Sequence, residues 1–169
     1  MHQTFLQFSA GKLKQLTERI EACLDKLDDE QIWWRGAEPQ NAVGNLVLHL
    51  CGNVRQWIIA SVGGQLDIRE RDKEFSARGG VDKKALAARL RETVDAAVEV
   101  IVALPEERLS DRVRVQRYDL TVLEGVYHVV EHFSQHTGQI VYATKLLTSG
   151  DLGFYKHLDT KAAHGEQTP

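Results

Sequence analysis

Four segments of this sequence repeat apolar residues at steps of three and four, and this pattern constrains the fold more than any other feature. The segments cover about residues 4–27, 41–62, 82–104 and 121–148. Such spacing places the apolar side chains on one face of an α-helix. Because four amphipathic helices bury those faces against each other, the sequence predicts an all-α fold, a four-helix bundle.

Local signals predict where these helices begin and end. Asn41 and Asp82 are suitable N-caps for the second and third helices, because their side-chain oxygens can accept a free backbone N–H. Thr121 begins the fourth helix with Glu124 three positions later, which is the spacing of a capping box. Pro105 ends the third helix.

The connection between the second and third helices is long and carries charges of alternating sign. It covers residues 65–81, and its charge predicts that it lies outside the core. Connections longer than about a dozen residues are uncommon in compact domains, so this one is expected to cross the length of the bundle. Helices two and three can then run parallel.

Length and composition limit the class of protein. A chain of 169 residues is long enough for one core without disulfide help. We expect one domain over residues 1–158 and a flexible C-terminal tail over 159–169. The net charge of −3 gives no general attraction to nucleic acid or to anionic membranes, so neither is an expected partner.

The compartment is predicted from the same composition. No stretch has the length and apolar character of a membrane span, and the first residues lack the pattern of a secretory signal. Cys23 and Cys51 lie in apolar helical segments and are interpreted as reduced, buried thiols. We therefore expect a soluble, cytoplasmic protein.

Two tryptophans, Trp33 and Trp34, stand in a charged connection where an apolar surface must cover them. One interpretation is that they close the open end of the bundle. The other is that they form the wall of a ligand pocket or a subunit contact.

Residues 111–118 alternate between charged and apolar and predict a short strand or extended loop. Arg112, Arg114 and Arg117 lie in this stretch. They suit a solvated edge that blocks strand pairing, or alternatively a cradle for an anionic substrate.

The fourth helix carries His132 and His136, four residues apart, so both imidazoles lie on one face and can point at a single ion. His49 borders the apolar face of the second helix and is a third candidate. The competing interpretation of each histidine is a hydrogen-bonded core residue. His128 lies one further step of four away, and the two steps from His128 to His136 turn about 80° around the helix, so not all three need share one ion.

Neighbouring residues exclude two familiar arrangements. A zinc protease helix needs a carboxylate directly after its first histidine, and Phe133 occupies that position. Cys51 follows His49 by two residues and therefore points away from it around the helix. It is a poor ligand for the same ion.

Two segments together resemble the DinB-like superfamily, also described as bacillithiol-transferase-like metal-binding bundles. They are NLVLHLCGN at 45–53 and EHFSQHTGQI at 131–140. The resemblance covers the four predicted helices and implies an up-down-down-up bundle that is often a homodimer. It also implies one divalent metal ion bound by His49, His132 and His136. His128 is not part of that motif and is a candidate pocket residue or support for a ligand.

Three neutral imidazoles suit zinc or nickel first and leave coordination positions open, as in catalytic sites. Four polar residues of the fourth helix are candidates to orient an imidazole or a bound water: Glu124, Glu131, Gln135 and Gln139. No catalytic residue is predicted.

Two functional hypotheses follow. The first is a metal-dependent thiol S-transferase or hydrolase that acts on a small molecule, possibly a low-molecular-weight thiol. The second is a non-catalytic, metal-stabilised dimeric binding or stress-response module.

Overall fold

The computed structural model describes residues 2–156. In this part of the chain the helices are α1 His2–Lys26, α2 Asp29–Trp33, α3 Val43–Val54, α4 Arg71–Ser76, α5 Lys83–Val102 and α6 Val122–Thr148. Helix α3 continues as a π-helix over Arg55–Val62, and a 3-10 turn covers Glu106–Ser110. Strands β1 Arg112–Val115 and β2 Tyr118–Thr121 form an antiparallel hairpin. The predicted tail at 159–169 lies outside the described residues, and the predicted domain boundary at 158 does too.

The four long helices enclose one core in which the predicted apolar stripes face each other. Its largest fully buried side chains include Leu13 and Ile20 of α1, Leu50 of α3, Leu90 of α5 and Phe133 of α6. The predicted all-α four-helix bundle is therefore confirmed. None of the described helices is both long enough and apolar enough to cross a membrane.

Contacts at one end of the bundle fix the direction of three helices. Lys83 at the start of α5 donates from Nζ to the carbonyl of Leu27, one residue beyond α1, at 3.0 Å. Gln31 of α2 donates from Nε2 to the carbonyl of Leu147 near the end of α6, at 3.4 Å. Helices α1 and α6 therefore end where α5 begins.

Contacts at the opposite end complete the topology. His2 at the start of α1 lies 2.7 Å from Glu106, which follows α5. Arg108 donates to the carbonyl of Val62, where the continuation of α3 ends, at 3.4 Å. Helices α3 and α5 are thus parallel to each other and antiparallel to α1 and α6. This is the predicted up-down-down-up arrangement.

The crossover between α3 and α5 differs from its prediction. It contains the short helix α4, and two of its charged side chains are buried, with exposed fractions of 3% for Arg69 and 8% for Glu74. Their burial is possible because they pair with each other at 2.7 Å. The expectation that this stretch is too charged for the interior is therefore wrong at Arg69 and Glu74.

The predicted helix caps are confirmed at two of three positions. Asp82 accepts from the backbone of Ala85, and Thr121 forms a capping box with Glu124. The prediction for Asn41 is wrong by one residue, because the cap is Ala42, whose backbone N–H donates to Asn45 inside the helix.

The hairpin confirms an extended segment after α5 and adds a second strand that the sequence did not predict. Its second strand covers the residues just before α6. Arg112 donates to the carboxylate of Asp119 at 3.0 Å, and Arg114 and Arg117 are exposed. Because its guanidinium already has a carboxylate partner, Arg112 fits the edge interpretation and not the anion cradle.

The two tryptophans behave differently from each other. Trp33 is half-buried, and its Nε1 donates to the carbonyl of Val81 at 3.0 Å. Its ring lies against Gly44 in the first turn of α3, whereas Trp34 is 52% exposed. Trp33 thus closes the end of the bundle where α1 ends.

We expect Gly44→Ala to destabilise the fold by about 1–3 kcal/mol, since overpacking in a tight contact costs this amount. A Cβ at Gly44 would lie 2.8–2.9 Å from three atoms of the Trp33 ring. The matched control is Gly11→Ala on α1, where a Cβ meets nothing within 4 Å. That change should stabilise the protein by about 0.5–1 kcal/mol, because it removes a helical glycine. Urea denaturation of both variants checks the pair, and equal shifts in the same direction would contradict it.

Candidate metal centre

The antiparallel helices α3 and α6 bring the three predicted histidines together. His49 lies in the middle of α3, and His132 and His136 lie one turn apart on α6. The Nε2 atom of His132 is 3.1 Å from Nε2 of His49 and 3.2 Å from Nε2 of His136. One ring nitrogen from each residue falls within 4.8 Å of the other two, in a group that can hold a metal ion.

Hydrogen bonds on the far side of two rings determine which nitrogen carries the proton. Nδ1 of His49 lies 3.0 Å from Oε2 of Glu74 and 3.1 Å from a terminal nitrogen of Arg69, and that nitrogen donates to Oε2 at the shorter distance of 2.8 Å. Nδ1 of His136 lies 2.7 Å from Oε1 of Gln139. Ionised carboxylate and amide oxygens only accept hydrogen bonds, so each Nδ1 donates to its oxygen. Both rings therefore present an unprotonated Nε2 toward His132.

Glu74 is ionised in this arrangement. Burial raises the pKa of its carboxyl, but hydrogen bonds from Arg69 and His49 outweigh burial and lower it overall. Arg69 donates from Nε to Oε1 at 2.7 Å and from a terminal nitrogen to Oε2 at 2.8 Å. His49 is thus held by a carboxylate that is itself held by a guanidinium.

His132 occupies the central position and is neutral. Its pKa is lowered to about 3, first by burial and then by the neighbouring His136, His49 and His128. Its Nδ1 is buried, and no hydrogen-bond partner for it lies within residues 2–156. The pKa of His136 is also lowered, chiefly by burial. Neutral imidazoles are the form that binds metals.

The spacing of the ring nitrogens suits a divalent ion. If the single ring proton of His132 is on Nε2, it can be donated to His49 or to His136 but not to both. In the absence of a cation, at least one of the two short nitrogen contacts therefore places two lone pairs against each other. Two imidazole nitrogens at about 2.0–2.1 Å from a tetrahedral zinc are roughly 3.3–3.4 Å apart, close to the spacing seen here. The three residues fit such an ion.

A glycine of α3 makes room for the supporting carboxylate. A Cβ at Gly52 would collide with Oε1 of Glu74. The sequence interpretation did not include Gly52, Glu74 or Arg69 in the site. The one signal available was a glycine inside an apolar helix three residues after a candidate ligand, which indicates close approach by another segment.

Aromatic rings surround the three histidines. Phe75 of α4 stacks on His49 with ring centroids 4.7 Å apart. Trp57 of the π-helix stacks on His128 at 4.1 Å, and His128 lies 5.6 Å from His132. His128 is therefore a neighbour of the triad and not a member of the group of three, in agreement with the sequence.

The other residues that the sequence suggested for the site have different surroundings. Gln139 orients His136, whereas Glu124 is used in the cap of α6. Glu131 and Gln135 are exposed. Burial raises the pKa of Cys51 to about 12, so it stays a thiol, as expected for a buried cysteine outside the site.

The four-helix bundle is similar in fold to solved structures of DinB-like proteins. Solved structures of DinB-like proteins from Bacillus subtilis and Bacillus cereus match with TM-scores of 0.66 and 0.67, at 15% and 20% identity. Each alignment covers 87% of this chain and 96% or 95% of the other. A conserved protein from Enterococcus faecalis matches with a TM-score of 0.71 at 19% identity, over 85% of this chain and 97% of that one. The predicted resemblance is confirmed at the level of the fold.

A family model described as "Protein of unknown function (DUF1572)" matches residues 1–158. The chain belongs to this family. No curated protein matches the sequence.

The stability of the metal-free protein should fall as the pH is lowered from about 6.5 toward 3. An unfolded histidine takes up a proton near pH 6.5, whereas folded His132 does so only near pH 3. Between these values the unfolded state binds more protons, so acid favours unfolding by at most about 1.4 kcal/mol per pH unit. Urea denaturation at several pH values, with chelator present, measures this slope.

His132→Gln is the matched variant, because it removes the titrating ring and leaves Glu74 in place. Its stability should depend less steeply on pH over the same range. Parallel profiles for the two proteins would contradict the role given to His132.

Proposed function

We propose that the chain binds one divalent metal ion through His49, His132 and His136 and uses it in thiol transfer to, or hydrolysis of, a small molecule. The observation that carries the proposal is the convergence of three Nε2 atoms, two of which have their lone pairs fixed by hydrogen bonds at Nδ1. Imidazole ligands suit zinc and nickel, which are the expected ions.

The number of ligands supports a reactive site. Structural zinc sites use four protein ligands, whereas catalytic sites use three and leave a position for water or substrate. A bound divalent ion lowers the pKa of water to about 7 and stabilises a thiol as thiolate. No fourth histidine, cysteine or carboxylate joins the three-histidine group in the described part of the chain.

The residues around the triad hold it in position. Glu74 and Gln139 fix the orientation of the rings of His49 and His136 through their Nδ1 atoms. Such outer hydrogen bonds typically account for about 10–100-fold in metal affinity. Phe75 packs against His49, and His128, stacked on Trp57, lies beside His132.

A non-catalytic, metal-stabilised module is the second candidate. The observation that favours it is that an ion here would join α3 to α6, while Glu74 connects the same histidine to the crossover. An ion that binds only the folded state raises stability by mass action. The small-molecule substrate and the homodimer remain predictions.

Purified protein should carry close to one divalent ion per chain, measured by elemental mass spectrometry after gel filtration. His132→Ala should lose this ion, because it removes the central ligand atom. His128→Ala should keep it, since His128 lies beside the triad but outside the group of three. Full occupancy in His132→Ala, or equal loss in both variants, would refute the assignment.

Reaction rates distinguish the metal-dependent enzyme from the non-catalytic module. With zinc or nickel bound, we expect faster reaction of a small thiol with 1-chloro-2,4-dinitrobenzene, in which a C–S bond forms, chloride leaves and the thiol proton goes to solvent. The rate should return to background with chelator or in His132→Ala and should be unchanged in His2→Gln at the far end of the bundle. Chromogenic esters test hydrolysis in the same way. A metal that raises the melting temperature without accelerating either reaction supports the non-catalytic module instead.

A further inference from the structure

A cavity of about 590 Å³ lies between the parallel helices α3 and α5, beneath the crossover. Pockets of about 300–1,000 Å³ are typical of small-molecule sites. None of the three histidines lines the cavity, but Arg69 and Glu74 do. The cavity is thus a second space, separated from the candidate metal centre by the buried ion pair.

The charged side chains of the cavity wall are incompletely paired. Arg69 is paired with Glu74, and the exposed Lys73 with Glu70 at 2.8 Å. Two guanidinium groups, those of Arg55 and Arg89, also line the cavity, and neither has a carboxylate within 4.0 Å among residues 2–156. One further acidic residue, Glu92, lines the cavity. The wall therefore carries an excess of one positive charge.

Arg55 is the residue that most requires a partner. It is half-buried, and its Nε atom is buried without a hydrogen-bond acceptor in the described part of the chain. A buried donor that is left unpaired costs about 1–3 kcal/mol, and more when it is charged. An anion in the cavity would offer this guanidinium an acceptor.

Most of the rest of the wall is apolar. Leu48 of α3, Ile59 of the π-helix and Ala96 of α5 line the cavity, and Ile68 of the crossover also lines it with 59% of its surface exposed. A ligand that complements both the charged and the apolar part of the wall has one negatively charged group and an aliphatic chain.

We propose that this cavity binds a small amphiphilic monocarboxylate whose carboxylate pairs with Arg55, assisted by Arg89, and whose aliphatic part contacts Leu48, Ile59 and Ala96. A guanidinium can hold a carboxylate through two parallel hydrogen bonds, which gives orientation as well as affinity. The site is distinct from the metal centre and does not depend on the function proposed for it.

The test is calorimetric titration of the full-length protein, metal-loaded and metal-free, with butanoate, hexanoate, octanoate and inorganic phosphate. Affinity should rise with chain length by up to about fourfold for each methylene that is buried. Octanoate should bind with one site per chain in both metal states, and phosphate much more weakly.

Single substitutions identify the charged partner. Arg55→Gln should weaken octanoate binding at least about tenfold, the usual effect of losing a hydrogen bond to a charged group. Glu92→Gln should strengthen it by up to about fivefold, because it removes a nearby like charge. Arg117→Gln is the matched control, since it removes the same charge from the exposed hairpin outside the cavity. It should have no effect.

Ala96→Leu tests the volume independently of charge, because it narrows the cavity while leaving every arginine in place. It should weaken octanoate binding, with circular dichroism confirming that each variant is folded. The proposal is overturned if no fatty acid binds saturably, if phosphate binds as tightly as octanoate, or if Arg55→Gln and Arg117→Gln have equal effects. Because metal content is measured separately, loss of this site and loss of the metal site are distinguishable.

Discussion

The buried pair of Arg69 and Glu74 is the interaction on which the site depends. Burying two charges costs several kcal/mol per ion, which only good geometry and further hydrogen bonds offset. Here the guanidinium makes two hydrogen bonds to the carboxylate, and a third from Arg69 reaches Gln56 at 2.9 Å. Oε2 of the carboxylate also accepts from Nδ1 of His49. The pair therefore connects the crossover to α3 and orients a candidate metal ligand at the same time.

The parallel arrangement of α3 and α5 explains why the crossover can do this. A connection between parallel helices must return along the bundle, so it passes the middle of α3, where His49 lies. Asn45, one turn earlier, accepts from Arg35 at 2.6 Å and donates to the carbonyl of Glu74 at 2.8 Å, which fixes the backbone of α4 there. Gly52, on the other side of His49, leaves space for the carboxylate. The crossover thus forms the third side of the site, and helices α3 and α6 form the other two.

Much of the fold could be predicted because its signals are local. The three-four repeat of apolar residues and the caps at Asp82 and Thr121 depend on neighbours a few residues away. The pairing of His132 with His136 is also local, since one helical turn separates them. His49 was predicted to join them only through a resemblance that included the surrounding residues.

The features that the sequence did not predict depend on contacts between residues that are far apart in the chain. Glu74 and His49 are 25 residues apart, and no periodicity relates a carboxylate in a connection to a ring on a helix. A high density of charged residues predicts an exposed segment. This prediction fails where oppositely charged side chains pair and become buried. The π-helix after α3 and the strand paired with β1 were missed because each depends on contacts formed only in the folded chain.

The three histidine rings differ in the interactions that orient them. His49 and His136 each donate from Nδ1 to an oxygen, so the direction of their Nε2 lone pairs is set before any ion binds. His132 has no such partner in the described structure, and its ring touches His128 and both other histidines. Packing alone orients it, in a place where burial keeps it neutral. Two rings oriented by hydrogen bonds and a central ring oriented by packing form a group that can hold a cation, which would relieve the repulsion among the three nitrogens.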